Sequence, residues 1–413
     1  MMVATALRSL DDDLTHPGFV DDPYPVYSRL RAEDPVHWCQ QWQQWVVTRY
    51  DDVQRIAKDP RRFSSEGWES TYLQKLEPDA RRRLPHMERH YSAHVLSNTD
   101  PPAHNRLRRL VVRSFTPPVL EALRPDVERL VENLLDRLDR PGVIDLVSEF
   151  AYPLPAMVIA QLLGAPEDGR ERFQGWSADL VAFVGSGTPL PARAARADAS
   201  LRDFWEYLEP LIDAARAHPV DDLLSILVAP GEGGERLTED ELVATCVTLL
   251  FAGHETTANL IANGLLALLR HPRELECLRE EPGLAVPAVE ELLRYDSPVQ
   301  RLRRRATEDV ELRGKLIRAG DLVMAFNGAA NRDPERFAEP DRLDLTRADT
   351  GHLAFGHGIH FCVGAALTRL EAPIALSGFL RRFPRCRLAS GAQVRWKHNI
   401  TFRGLESLPL ELR

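Results

Sequence analysis

One stretch limits the architectures open to this chain more than any other. From Thr238 to about Leu269, apolar residues recur at helical spacing. Thr238-Glu239-Asp240-Glu241 opens it as a capping box, in which the Thr and Glu side chains satisfy exposed backbone donors. Such a helix is roughly 45–50 Å long at ~1.5 Å per residue. A helix so long and so apolar passes through a core. Yet Ala252-Gly253-His254-Glu255-Thr256-Thr257 sits in its middle. Gly disfavours helix there, and a buried Glu is costly without a partner or a task. His254-Glu255 is not a zinc-protease motif, because Ala258 stands where the second His belongs. A satisfied hydrogen bond is the plain reading of one buried polar residue. A carboxylate beside a hydroxyl, after a glycine that leaves space, suggests more. A small molecule can bind there and receive protons.

A second stretch carries chemistry: Phe355-Gly356-His357-Gly358-Ile359-His360-Phe361-Cys362-Val363-Gly364. A helical pattern follows from Val363 to about Phe383, so Cys362 lies at a helix N-terminus. Unpaired N–H groups and the positive dipole end favour thiolate there. Gly356, Gly358 and Gly364 clear side chains where something flat and bulky approaches the backbone. A lone Cys is ordinarily a buried structural residue. The spacing Phe-x-x-Gly-x-His-x-Cys-x-Gly instead suits an axial thiolate ligand of haem iron.

The composition excludes several classes. The chain has 413 residues, 44% apolar and 27% charged, as in ordinary globular proteins. Its net charge of −9 argues against general nucleic-acid binding. No run of 18 apolar residues predicts a membrane span. The N-terminus carries Asp11, Asp12 and Asp13 and no apolar core, so no secretory signal is expected. Five scattered cysteines fit a reducing cytoplasm better than a disulfide framework.

Elsewhere the pattern predicts a short helix over 23–32, a hairpin from Val36–Cys39 and Trp45–Val47, and a helix from Asp51 ending before Pro60. The segment 63–99 reads as long and irregular. Helices follow over 119–138, 148–163 and 167–183, with a break at 186–191. The next helix runs to about Ala217, and a short one covers 221–227. His104 and Arg108 share a helix face at i, i+4, as do Glu291 and Arg294 at i, i+3. Strands are expected at Val310–Leu312 and Leu322–Phe326, and short ones after Pro384.

Taken together, these motifs resemble the cytochrome P450 superfamily of haem-thiolate monooxygenases in its soluble bacterial form. The resemblance covers nearly the whole chain. It implies one large P450-type domain over 1–413, mainly α with small β-sheets, holding haem between the long central helix and the cysteine-loop helix. It implies haem b and O2 as cofactors. Cys362 matches the iron ligand and Phe355 the aromatic that shields it, with Gly356 and Gly364 beside them. His360, Arg304, His104 and Arg108 match the partners of the haem propionates. Two buried carboxylates need such cations. Glu291 and Arg294 match the core Glu-x-x-Arg pair, and Arg342 the arginine that completes their network. Arg336, in Pro334-Glu335-Arg336-Phe337, mimics that arginine but sits too early. Ala252, Gly253, Glu255 and Thr256 match the oxygen-binding part of the long helix, with Glu255 and Thr256 delivering protons.

The expected reaction inserts one atom of O2 into a medium-sized, largely apolar organic molecule, by hydroxylation or epoxidation. Leu249, Val299, Gln300, Leu302, Ile400 and Thr401 are expected to wall the substrate pocket, with Val95–Ser97 and the break near 182–191. The chain shows no dinucleotide, flavin or iron–sulfur motif of its own. Electrons are therefore expected from a ferredoxin or flavodoxin with its reductase, docking on a basic patch for which Arg106, Arg109 and Arg113 are candidates. A cytoplasmic monomer is expected, with no nucleic-acid or membrane partner. The alternatives are a peroxide-driven haem-thiolate peroxygenase, a non-catalytic haem sensor, or a zinc protein using His357, His360 and Cys362.

Overall fold

The computed structural model describes residues 8–67, 73, 76–164, 170–185, 190–220 and 222–412. The expected break at 186–191 and the helix starts at 167 and 221 fall partly outside the described residues.

The long helix spans Glu239–Arg270 without interruption, and its capping box forms as expected. It is buried along most of its length. Helix Pro153–Leu162 crosses it on one side, and Ala365–Arg382, the helix after Cys362, packs on another. The 253 position explains its glycine: a Cβ there would stand 3.3 Å from Ile159 Cδ1 of the crossing helix. The space expected beside Gly253 is filled by that side chain. Helix Pro117–Leu138 lies against the cysteine-loop helix, with Val131 and Leu135 closing on Gly378. These elements share one continuous apolar core.

The strands, in chain order, are β1 Val36–Cys39, β2 Gln44–Val47, β3 Phe63–Ser64, β4 Val143–Asp145, β5 Leu302–Ala306, β6 Val310–Leu312, β7 Lys315–Ile317, β8 Leu322–Ala325, β9 Arg387–Leu388, β10 Arg395–Trp396, β11 Leu405–Ser407 and β12 Pro409–Glu411. The main sheet has the order β1-β2-β8-β5-β3. β2 and β8 run parallel, and the other neighbours run antiparallel. β5 is unexpected from its sequence, Leu-Arg-Arg-Arg-Ala, because a basic run reads as solvated surface. Pairing with β8 places Arg303 opposite Met324 and Arg304 opposite Val323, and both arginines are buried.

Candidate functional site

The cysteine loop is held by its own backbone. Phe355 O accepts from Cys362 N–H at 2.9 Å, and Leu353 O accepts from Gly356 N–H at 2.9 Å. Gly356 and Gly358 both take φ of +71°, the left-handed region that favours glycine. A Cβ at Gly358 would come within 2.6 Å of Ala57 O, so the loop is pressed against helix Tyr50–Lys58. At Gly364 the nearest atom to an added Cβ is Cys362 Sγ, at 3.9 Å. Solvent reaches Cys362, although protein crowds it. That crowding pushes its thiol pKa up. The N–H groups of Gly364 and Ala365, at the start of the following helix, and the guanidiniums of Arg108 and Arg369 pull it back. Arg369 was not expected from the sequence. Its guanidinium lies 4.8 Å over the Phe355 ring and is anchored on Glu290 at 2.7 and 2.8 Å.

Four basic side chains converge beside this loop. The His104 and His360 rings are 4.5 Å apart, edge to face. Arg108 donates to Ile359 O at 3.0 Å, inside the cysteine stretch. Burial first, then Arg304, His104 and Arg108, push the His360 pKa down to about 3. Burial pushes Arg304 down to about 10, with Asp100 opposing it. His104 is likewise lowered by burial. Buried nitrogens His104 Nε2 and His360 Nδ1 make no hydrogen bond of ordinary geometry, with the Ile359 and Leu96 carbonyls near them. Basic side chains packed this closely oppose one another's protonation, and an anion among them would relieve that opposition. Ser65 is a further partner that no spacing in the sequence marks: its Oγ is 2.9 Å from His360 Nε2 across 295 positions of chain.

On the long helix, Glu255 is buried and Thr256 is partly open. The two do not bond each other. Thr256 Oγ1 donates to Ala252 O at 2.8 Å, one turn back. Glu255 Oε1 accepts from Lys397 Nζ at 2.7 Å and from Asn259 Nδ2 at 3.2 Å. His254 faces the other way, bonding Tyr152 Oη at 2.6 Å and Leu250 O at 3.0 Å. It is thereby a satisfied core histidine, and burial lowers its pKa.

A cavity of about 210 Å³ lies between the long helix, β5 and the segment near Val95. Val95, Ser97, Val299, Leu302 and Thr401 are among the residues that line it, and Val247, Thr248 and Phe251 supply the long-helix wall. Three pocket expectations are corrected. Leu249 packs against the core, because one residue along a helix turns the side chain by about 100° from the cavity-facing Thr248. Gln300 is structural: its amide accepts from Tyr27 Oη at 2.9 Å and donates to Ser297 O at 2.7 Å. Ile400 packs on the separate cluster around Tyr27 and Phe326.

The Glu291–Arg294 pair is fully buried and bidentate, at 2.7 and 2.8 Å. Arg342 does not complete it. Its side chain is exposed and pairs with Glu339 at 3.1 Å, and only its carbonyl reaches Arg294. Arg347 takes the place instead, with Nε 3.2 and 3.3 Å from the two Glu291 oxygens. Glu339 at φ +45° starts a turn that sends Arg342 outward, and the Asp344–Thr346 turn brings the chain back so that Arg347 points in. Arg336 binds Asp349 and takes no part. The expected basic patch is also altered. Arg106 pairs with Glu241 and Arg109 with Glu235, while Arg113 is spent on carbonyls of Ile226, Ala229 and Pro230. Among the described residues no cluster of His, Cys, Asp or Glu is arranged to hold a bare metal ion, which leaves the zinc alternative without support. No helix among them is long and apolar enough to cross a membrane.

The family model described as Cytochrome P450 matches residues 63–391. The chain is 45% identical to Cytochrome P450 107B1 of Saccharopolyspora erythraea, over 95% of each chain. It is 44% identical to Cytochrome P450 monooxygenase PikC of Streptomyces venezuelae, over 96% of this chain and 92% of that one. It superposes on the crystal structure of CYP109E1 from Bacillus megaterium in complex with testosterone with a TM-score of 0.86, at 33% identity, over 96% and 99% of the two chains. The chain belongs to the cytochrome P450 family, and it is a monooxygenase that acts on organic substrates.

Proposed function

We propose that residues 1–413 act as one catalytic unit holding haem b between the long helix and the cysteine loop, with Cys362 as the iron ligand. The observation that carries this reading is the set of groups around Cys362. A thiol at a helix start, glycines at 356, 358 and 364 and four converging basic side chains fit a flat metal complex bearing two carboxylates. His104, Arg108, Arg304 and His360 would hold the carboxylates, and Phe355 with Arg369 would cover the thiolate side. When bound, the haem supplies O2 activation, with the thiolate promoting O–O cleavage. The chain's own work is to orient the substrate, restrict water and deliver protons.

The substrate wall is apolar at Val95, Leu180, Val184, Val247, Phe251 and Leu302. That chemistry suits a medium-sized, largely apolar molecule with few polar groups. The complex of the CYP109E1 relative with testosterone is in keeping with this size and polarity. Glu255 takes protons from the solvent side, and the Thr256 hydroxyl, held by Ala252 O and partly open, passes them on. A ferredoxin or flavodoxin with its reductase supplies electrons, in the cytoplasm.

The test is the absorption spectrum of the reduced protein with carbon monoxide. A strongly red-shifted Soret band, lost in Cys362→Ser and kept in His360→Ala, supports the reading. A band of the histidine-ligated type, or none, refutes it. Thr256→Ala is expected to lower the product formed per electron consumed several-fold. An unchanged ratio removes Thr256 from proton delivery.

A further inference from the structure

Glu255 has a partner that neither its motif nor its neighbours in sequence reveal. Lys397 lies 142 positions away, between β10 and β11, and its ammonium donates to Glu255 Oε1 at 2.7 Å. Glu255 is 2% exposed and the Lys397 side chain 25% exposed. The pair therefore joins a buried carboxylate to solvent. The lysine is itself held in place. Lys397 N–H donates to Gly404 O at 2.9 Å, and its Nζ also lies 3.5 Å from Asn259 Oδ1. Asn259, one turn after Glu255, binds the same carboxylate oxygen. A Cβ at Gly404 would overlap Asn259, so this glycine makes room for the group that fixes the pair.

Among the described residues, the titratable groups facing Glu255 are Lys397, His254 and Tyr152. His254 is kept neutral by burial, and burial followed by the Glu255 charge keeps the Tyr152 phenol protonated. The Lys397 ammonium also stands 5.5 Å from the Tyr152 ring centre, so its stem crosses an aromatic wall on the way to solvent. The charge opposite Glu255 is thus supplied by Lys397.

We propose that Lys397 is the positioning residue of the proton path: it fixes the Glu255 carboxyl group on the solvent side of the long helix and links it to bulk water. In one cycle Glu255 takes a proton from hydronium in the water at the exposed lysine, passes it toward the reaction space and returns to carboxylate, while Lys397 stays an ammonium, so charge and protons balance. This rests on the monooxygenase reading above, in which Glu255 delivers protons.

The experiment compares full-length wild type, Lys397→Met and Lys397→Arg by infrared titration, with Glu255→Gln used to assign the carboxyl band. Lys397→Met removes the charged donor from Glu255 Oε1 and is expected to move the Glu255 carboxyl band and its pH response, and Lys397→Arg to restore most of both. In the haem-loaded enzyme, Lys397→Met is expected to raise the solvent isotope effect on turnover and to lower product per electron several-fold. KM is expected to stay unchanged and Lys397→Arg to recover most of the loss. If Lys397→Met leaves the Glu255 titration unmoved, or moves it with no effect on isotope effect or coupling, the proposal is overturned. Should Lys397→Met fail to fold, Lys397→Gln, which keeps a hydrogen-bond donor without the charge, gives the same titration. A missing red-shifted carbon monoxide band in the wild type would instead count against the monooxygenase reading, since the infrared titration needs no turnover.

Discussion

Replacing Arg347 with Ala should destabilise the protein far more than replacing Arg342, although the two arginines are five residues apart. The Arg347 side chain is 11% exposed, and its Nε faces both oxygens of Glu291, which is 1% exposed. Its two Nη groups also cap the carbonyls of Ala338, Glu339 and Arg342. Arg347→Ala leaves Glu291 with Arg294 and the Asp344 N–H, so the buried carboxylate is not abandoned. The loss is therefore that of one hydrogen bond to a charged group plus weaker carbonyl contacts, about 2–3 kcal/mol. That is below the ~3–5 kcal/mol for removing one partner of a fully buried pair, which is the expectation for Arg294→Ala. Arg342→Ala removes an exposed ion pair with Glu339 and should change stability by less than ~0.5 kcal/mol. Urea unfolding followed by far-ultraviolet circular dichroism measures all three. Equal losses for Arg342→Ala and Arg347→Ala, or a neutral Arg347→Ala, would falsify the assignment of Arg347 to this network.

Two further outcomes are expected. Gly358→Ala forces a side chain into φ +71° and into Ala57 O, so the loop must leave helix Tyr50–Lys58. The backbone strain alone is about 1–3 kcal/mol. Haem content after purification should fall, and full loading with unchanged stability would contradict the packing. Glu371, on the cysteine-loop helix, is buried with Oε2 unpartnered, and burial holds its carboxyl pKa well above the usual range. The folded state then keeps a proton that the unfolded chain releases. Its contribution is full below the ordinary Glu pKa of about 4.3 and is lost as pH rises through the folded value. Glu371→Gln should therefore gain stability relative to wild type as pH rises from 4.5 to 8, and parallel stability curves would refute the burial argument.

Local patterns carried much of the architecture. The long helix announces itself by its capping box and apolar period, and its observed span, Glu239–Arg270, differs from the pattern by one residue at each end. The hairpin β1–β2 and helix Ala365–Arg382 were legible for the same reason: each is decided by neighbours within a few positions. Cys362 and its glycines stand out because a helix start and left-handed turns need particular residues in a fixed order.

What was not legible depends on distance along the chain. β5 is a run of arginines whose strand state comes from pairing with β8, and no local rule favours it. Gly253 suggested open space, but Ile159, 94 positions earlier by residue number, fills it. Leu249 and Thr248 are both plausible pocket residues until the helix phase is known. Arg342 and Arg347 offer the same side chain, and only the turn at Glu339 and the return at Asp344 decide which one reaches Glu291. By itself the sequence determined the elements whose hydrogen bonds close within a turn or a hairpin, and the order of the groups around Cys362. The tertiary structure decided which charges meet, as Lys397 meets Glu255 and Ser65 meets His360. Ion pairs and buried polar contacts form between surfaces brought together by packing, and their partners share no spacing in the chain.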